Sequence, residues 1–253
     1  MNMAKVILVL LLLLASDLQA ANVQASALNK QPVVMLTEFE PWTMSLGRTT
    51  PLFILYTDGQ VIFWRNAKGP LPGEYLTLKL TSRQMKKFIR ALHPEQINAL
   101  DKDYTSFELS NQPTNILELH TDKAPNKKIF LHGQLSSLRK DGATLPQSLV
   151  ADMQLLNTYK NKVAVPWMPT EFEVVMMPFE SAQGEPVYWP SDWPGIHSTA
   201  AVDRGERFSI YLEASDLPQL RNLIGRITPN QPVIIDGRKW SCSVRFPFPH
   251  EEP

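Results

Sequence analysis

Two apolar runs, Leu52 to Tyr56 and Val61 to Trp64, flank the tetrapeptide Thr57-Asp58-Gly59-Gln60. Glycine tolerates the positive φ of a tight reversal, so an Asp-Gly pair between such runs predicts a β-hairpin. The signal recurs at Asp236-Gly237, between Pro232 to Ile235 and Lys239 to Phe246. A further hairpin is expected from Ile116 to Thr121 and Lys127 to His132, joined through Asp122 to Asn126. Pairing Leu119 with Ile129 and Leu117 with Leu131 gathers four apolar residues on one face. In that register His120 faces Lys128 and His132 faces Ile116.

Helical periods lie between these hairpins. Thr81 or Ser82 caps a segment whose inner face is Met85, Phe88, Ile89 and Leu92, ended by Pro94. Residues 95 to 100 make one more short helical segment. Leu145 to Lys160 turns Leu149, Val150, Met153 and Leu156 inward, and Asp216 caps a helix carrying Leu217, Leu220, Leu223, Ile224 and Ile227. Strands are expected at 33–39, 75–80, 172–177 and 207–212. These elements predict an α+β protein of antiparallel β-hairpins with about three packed amphipathic helices. Regular βαβ alternation and a glycine-rich βα turn are lacking, which argues against a nucleotide-binding parallel sheet. The spacing of Met85, Phe88, Ile89, Leu92 and Pro94 recurs at Leu220, Leu223, Ile224, Ile227 and Pro229, an echo suggesting two related units.

The N-terminus predicts export. Lys5 precedes an uncharged run from Val6 to Ala15, and small residues follow, so residues 1–20 read as a cleavable signal peptide. Ten helical residues reach roughly 15 Å, half the ~30 Å of a hydrocarbon core, so the run is too short for an anchor. Cleavage is expected after Ala20 or Ala21, with Ala25 as a later option. No later stretch is apolar enough to span a membrane. The remainder divides at Pro166-Trp167-Met168-Pro169, a linker or rigid turn, into an N-terminal region, 21–163, and a C-terminal region, 164–253. A single domain over 31–250 is the alternative. The expected compartment is extracytoplasmic, periplasmic or secreted, and bacterial by its short signal and lack of disulfides. The stretches 55–62 and 237–249 resemble segments of exported bacterial proteins, a resemblance that carries no activity to any residue.

Twenty-five basic residues balance twenty-five acidic ones. That balance argues against nucleic acid or another polyanion as a partner and leaves room only for a local patch. The basic pairs Lys86-Lys87 and Lys127-Lys128 read as solvated faces. Cys242 is the sole cysteine, so no intrachain disulfide forms. Strand alternation puts it on one face with Trp240, Val244 and Phe246, as a packing residue rather than a nucleophile.

Few residues suggest chemistry. His120 and His132 lie roughly 13 Å apart in the expected register, too far to share a metal ion. His93 closes a helix, and His250 sits in a tail expected to be mobile. Glu38 and Glu40, like Glu171 and Glu173, alternate along strands as solvent faces. There is no nucleophile elbow, calcium loop, zinc spacing or phosphate loop, so no catalytic residue, metal or cofactor is assigned.

The segment from Pro178 to His197 is different, being a long loop rich in Pro, Gly and aromatic residues. Tyr188, Trp189, Asp192, Trp193 and His197 form the candidate binding set: tryptophan faces stack on rings or cations, while Asp and His orient a ligand by hydrogen bonds. The competing reading is a proline-stiffened corner whose tryptophans plug the core. The leading expectation is therefore an exported, non-enzymatic protein that binds an unidentified ligand or envelope protein. The alternatives are a hydrolase with a composite site near Asp192 and His197, and a structural envelope component.

Overall fold

The computed structural model describes residues 30–39, 49–65, 74–106, 112–135, 145–228 and 230–251. The expected signal segment, residue Glu40 and Pro229 lie outside them. The described residues form two mixed sheets. The larger contains β1 (Pro32–Phe39), β2 (Thr49–Tyr56), β3 (Gln60–Arg65), β4 (Glu74–Lys79), β5 (Asp103–Thr105), β6 (Thr114–Thr121), β7 (Ala124–His132) and β8 (Val165–Trp167). Its order is β5-β7-β6-β1-β2-β3-β4-β8. The smaller contains β9 (Glu171–Pro178), β10 (Val187–Tyr188), β11 (Ala201–Asp203), β12 (Phe208–Glu213), β13 (Val233–Ile235) and β14 (Arg238–Arg245), in the order β10-β13-β14-β9-β12-β11. The α-helices among these residues are α1 (Ser82–Ala91), α2 (Pro94–Asn98), α3 (Gln147–Asn157) and α4 (Leu217–Ile224).

This architecture corrects the α+β expectation. The protein is mostly β, and its longest described helix has 11 residues. The helical periods are real, but they ride on two continuous sheets. Those sheets arise because β1 joins β6, and β9 joins both β12 and β14, across long stretches of chain. Local periodicity carries no information on such pairings.

The hairpin turns form for the reasons their residues dictate. Gly59 adopts φ +84°, and its amide donates to the Tyr56 carbonyl at 3.0 Å. Its carbonyl accepts from the Leu80 amide at 2.8 Å, and a Cβ here would lie 2.5 Å from the Leu80 carbonyl oxygen. Asp58 accepts the Gln60 amide at 2.9 Å and an ion pair from Lys30 at 3.2 Å. Asp236 and Gly237 both take positive φ, 49° and 76°, the two-residue reversal that twisted strands favour.

The hairpin of β6 and β7 departs from the expected register by two residues. Leu117 faces Ile129 and Leu119 faces Lys127, while Thr121 pairs with Ala124 around a tight Asp122-Lys123 turn. A shift of two preserves the faces, because side chains alternate with period two. The apolar pattern was satisfied by either register, and the shorter turn selects this one.

Thr81 caps α1 with a reciprocal capping box to Gln84. The inner face, Met85, Phe88 and Ile89, packs with Leu92 against Phe53, Leu55, Val61 and Phe63 on one face of the large sheet. Ile97 of α2 and Leu149, Met153 and Leu156 of α3 complete this layer. The alternate residues Ile54, Tyr56, Ile62 and Tyr75 belong to a second core. There they join Phe172, Val174, Ile210 and Trp240 of the small sheet and Leu217, Leu220 and Leu223 of α4. Cys242 packs against this core, as its strand face requires, and burial pushes its thiol up to about 12.

The residues read as a linker, Pro166 and Trp167, instead belong to β8 on the edge of the large sheet. Trp167 stacks on Phe248 at 5.2 Å, and Tyr75 meets the same ring edge-on at 5.0 Å. The C-terminal segment is accordingly packed rather than free, and His250 Nδ1 lies 3.0 Å from the Tyr56 hydroxyl.

Candidate functional site

The loop before β11 is built by strand alternation and two prolines. β10 runs parallel to β13, with Val187 opposite Val233 and Tyr188 opposite Ile234. Successive residues then face opposite ways. Tyr188 is 71 % exposed, whereas Trp189 is 8 % exposed. Trp189 meets Trp193 edge-to-face at 4.9 Å and 69°, and its indole Nε1 donates to the Pro194 carbonyl at 3.0 Å. Both rings belong to the core with Ile196, so the tryptophans themselves plug the interior.

The loop is also tied to the Asp236-Gly237 turn. The Ile196 amide donates to Asp236 Oδ2 at 3.1 Å, and a Cβ on Gly195 would stand 2.8 Å from that oxygen. On this fixed base Asp192 and His197 are exposed. The two make no hydrogen bond or ion pair with each other or with any described residue. The five residues of the candidate set therefore divide into two buried anchors and three outward side chains.

Two polar clusters escaped sequence reasoning. In the first, Glu173 is buried, contrary to the solvent face expected of it. The register of β9 and β14 sets Arg245 directly opposite, and its Nη1 donates to Glu173 Oε2 at 2.8 Å. Ser209 Oγ donates to the other carboxylate oxygen at 2.5 Å. Arg245 Nη2 continues to Glu251 Oε1 at 2.5 Å, and Glu251 Oε2 accepts the Phe248 amide at 2.8 Å. Every charge in this chain is paired, so it is a fastening for the C-terminal segment. Alternation along β9 could not separate Glu173 from Glu171, because only the pairing with β14 places an arginine beside one of them.

In the second cluster, His93 takes the left-handed conformation, φ 42° and ψ 48°, between α1 and α2. Its Nδ1 lies 3.1 Å from Oδ1 of Asp152, which is 1 % exposed. Asp152 Oδ2 has no partner. Burial, partly offset by the His93 hydrogen bond, pushes the Asp152 carboxyl up to about 6. Asp152 occupies the inner face of α3 beside Leu149, Met153 and Leu156. A polar residue on such a face was the available signal.

Among the described residues no three His, Cys, Asp or Glu side chains are grouped to hold a metal ion. No described helix is long and apolar enough to cross a membrane. Neither family models, curated proteins nor solved structures give a match to this chain.

Proposed function

We propose that this is an exported, non-enzymatic binding protein that meets a ligand or an envelope partner through the loop from Val187 to His197. The observation that carries the reading is the alternation at Tyr188 and Trp189. A solvent-facing ring stands on a backbone locked by a buried tryptophan pair and by the Ile196–Asp236 hydrogen bond. A rigid loop loses little conformational freedom on binding, which favours affinity. Asp192 and His197, exposed on the same loop, offer polar groups to a ligand. Export rests on the signal pattern of residues 1–20. The hydrolase reading is the weaker one, because Asp192 and His197 lack the mutual hydrogen bond that orients a general base.

A thermal-shift screen of the mature chain against glycans, peptides, nucleotides and divalent metals tests the proposal. Saturating ligand at about 100 times its Kd adds about 2.7 kcal/mol and raises Tm by several degrees. A shift that disappears in Tyr188→Ala or His197→Ala, with Tm of the free protein unchanged, is expected. A shift that survives both substitutions sinks the loop as the site, and none across the panel sinks the small-ligand form of the reading in favour of a protein partner or a structural role. Turnover of chromogenic esters or glycosides lost in His197→Ala would transfer the assignment to the hydrolase.

A further inference from the structure

The exposed side of α1 gathers like charges, of which only Arg90, in the last turn, suits the helix dipole. The helix contains Arg83, Lys86, Lys87 and Arg90 and no acidic residue. Arg83 lies in the first turn, where the helix dipole disfavours a cation. Lys86 and Arg90 stand four residues apart, as do Arg83 and Lys87, spacings at which like charges repel. All four side chains are exposed, and none has a carboxylate partner among the described residues. Elsewhere Lys30, Lys79, Lys123, Lys128 and Arg245 each meet a carboxylate. Lys127 is also tied down, donating to the carbonyls of Asn98 and Leu100. In a chain of zero net charge, four cations with no carboxylate partner among the described residues are gathered on one helix.

These cations also border a shallow space. Together with Ser82 they line an open surface groove of about 460 Å³. From Arg83 to Arg90 the helix advances roughly 10 Å. Neighbouring cations along a ridge have Cβ atoms about 5–6 Å apart. The apolar side of α1 is already packed on the large sheet, so the helix has no apolar face to insert among lipid chains.

We propose that this groove binds a small soluble oligoanion, with two or three phosphate groups spread over the length of α1. Each phosphate would neutralise cations that now repel one another, with the Ser82 hydroxyl as a further donor. The site lies on α1 and is independent of the Tyr188 loop.

Calorimetric titration of the exported chain with tripolyphosphate, at about 0.15 M salt to screen diffuse attraction, tests this. One-to-one binding is expected, far tighter than that of orthophosphate. Lys86→Gln/Lys87→Gln and, separately, Arg83→Gln/Arg90→Gln should each weaken it on the order of tenfold or more. Lys160→Gln/Lys162→Gln, an equal loss of exposed charge outside the groove, should leave it unchanged. All three pairs are on the surface, so Tm should not fall, and the two α1 pairs should raise it slightly by relieving repulsion. Absence of binding, or equal weakening by the control pair, overturns the proposal. Binding confined to vesicles containing anionic lipid, with none to tripolyphosphate, overturns it in favour of a membrane surface.

Discussion

His93 Nδ1 lies 3.1 Å from Asp152 Oδ1, a bond that joins the strained corner between α1 and α2 to a carboxyl buried inside α3. The Asp152 carboxyl is raised to about 6 by burial, against a smaller lowering from His93. A raised acid binds its proton more tightly in the folded chain. Its stabilising share is therefore complete below about pH 4 and is lost as pH rises through 6. The loss is roughly 3 kcal/mol at most. Asp152→Asn should flatten the pH dependence of Tm between pH 4 and 7 and gain on the parent as pH rises. Parallel curves for the two proteins would contradict the assignment.

The tryptophan pair and the tyrosine beside it should respond oppositely. Trp193→Ala removes a ring packed against Trp189 and should cost about 3–5 kcal/mol. Tyr188→Ala touches an exposed ring and should stay within about 0.5 kcal/mol. Urea denaturation of both variants decides this, and equal losses would show that the loop is not built on its buried anchors.

Two glycines of nearly equal φ separate backbone strain from close approach. Gly59 has φ +84°, and a Cβ there would lie 2.5 Å from the Leu80 carbonyl oxygen; Gly205 has φ +85° and open space. Gly205→Ala should cost about 1 kcal/mol from strain alone. Gly59→Ala should cost clearly more, because the Leu80 carbonyl just after β4 must also shift. Similar losses in chemical denaturation would count against the Gly59–Leu80 contact.

Arg245 and Glu173 form a coupled pair within the small sheet. Arg245→Met leaves a buried carboxylate with Ser209 as its remaining partner and should cost about 3–5 kcal/mol. Adding Glu173→Gln should restore part of that loss, so the double variant is less damaged than the sum of the singles. Strict additivity in a double-mutant cycle would show that the two do not interact.

Much of this structure was legible where local chemistry decides the outcome. The Asp-Gly turns, the Thr81 cap and the inward faces of α1 and α3 follow from residues close together in the chain. The inward Trp189 and Trp193 matched the competing reading of the loop, a proline-stiffened corner. What escaped was set by pairing across distance. Nothing near Glu173 announces Arg245, and nothing near Asp152 announces His93. The β6–β7 register slipped by two because such a shift leaves Leu117 and Leu119 on the same face, although Leu119 then stands opposite Lys127. The mostly β character escaped for the same reason: a hairpin does not declare which strand will add to its edge.

The contact between Tyr56 and His250 spans 194 positions of chain. Phe246 and Phe248 are needed to close the cluster around Tyr75, and both lie far beyond it along the chain. A chain growing or emerging from its N-terminus therefore holds an open seam until Phe246 to His250 arrive. Contacts this distant are slow to form, so folding should end, rather than begin, with the seating of the tail.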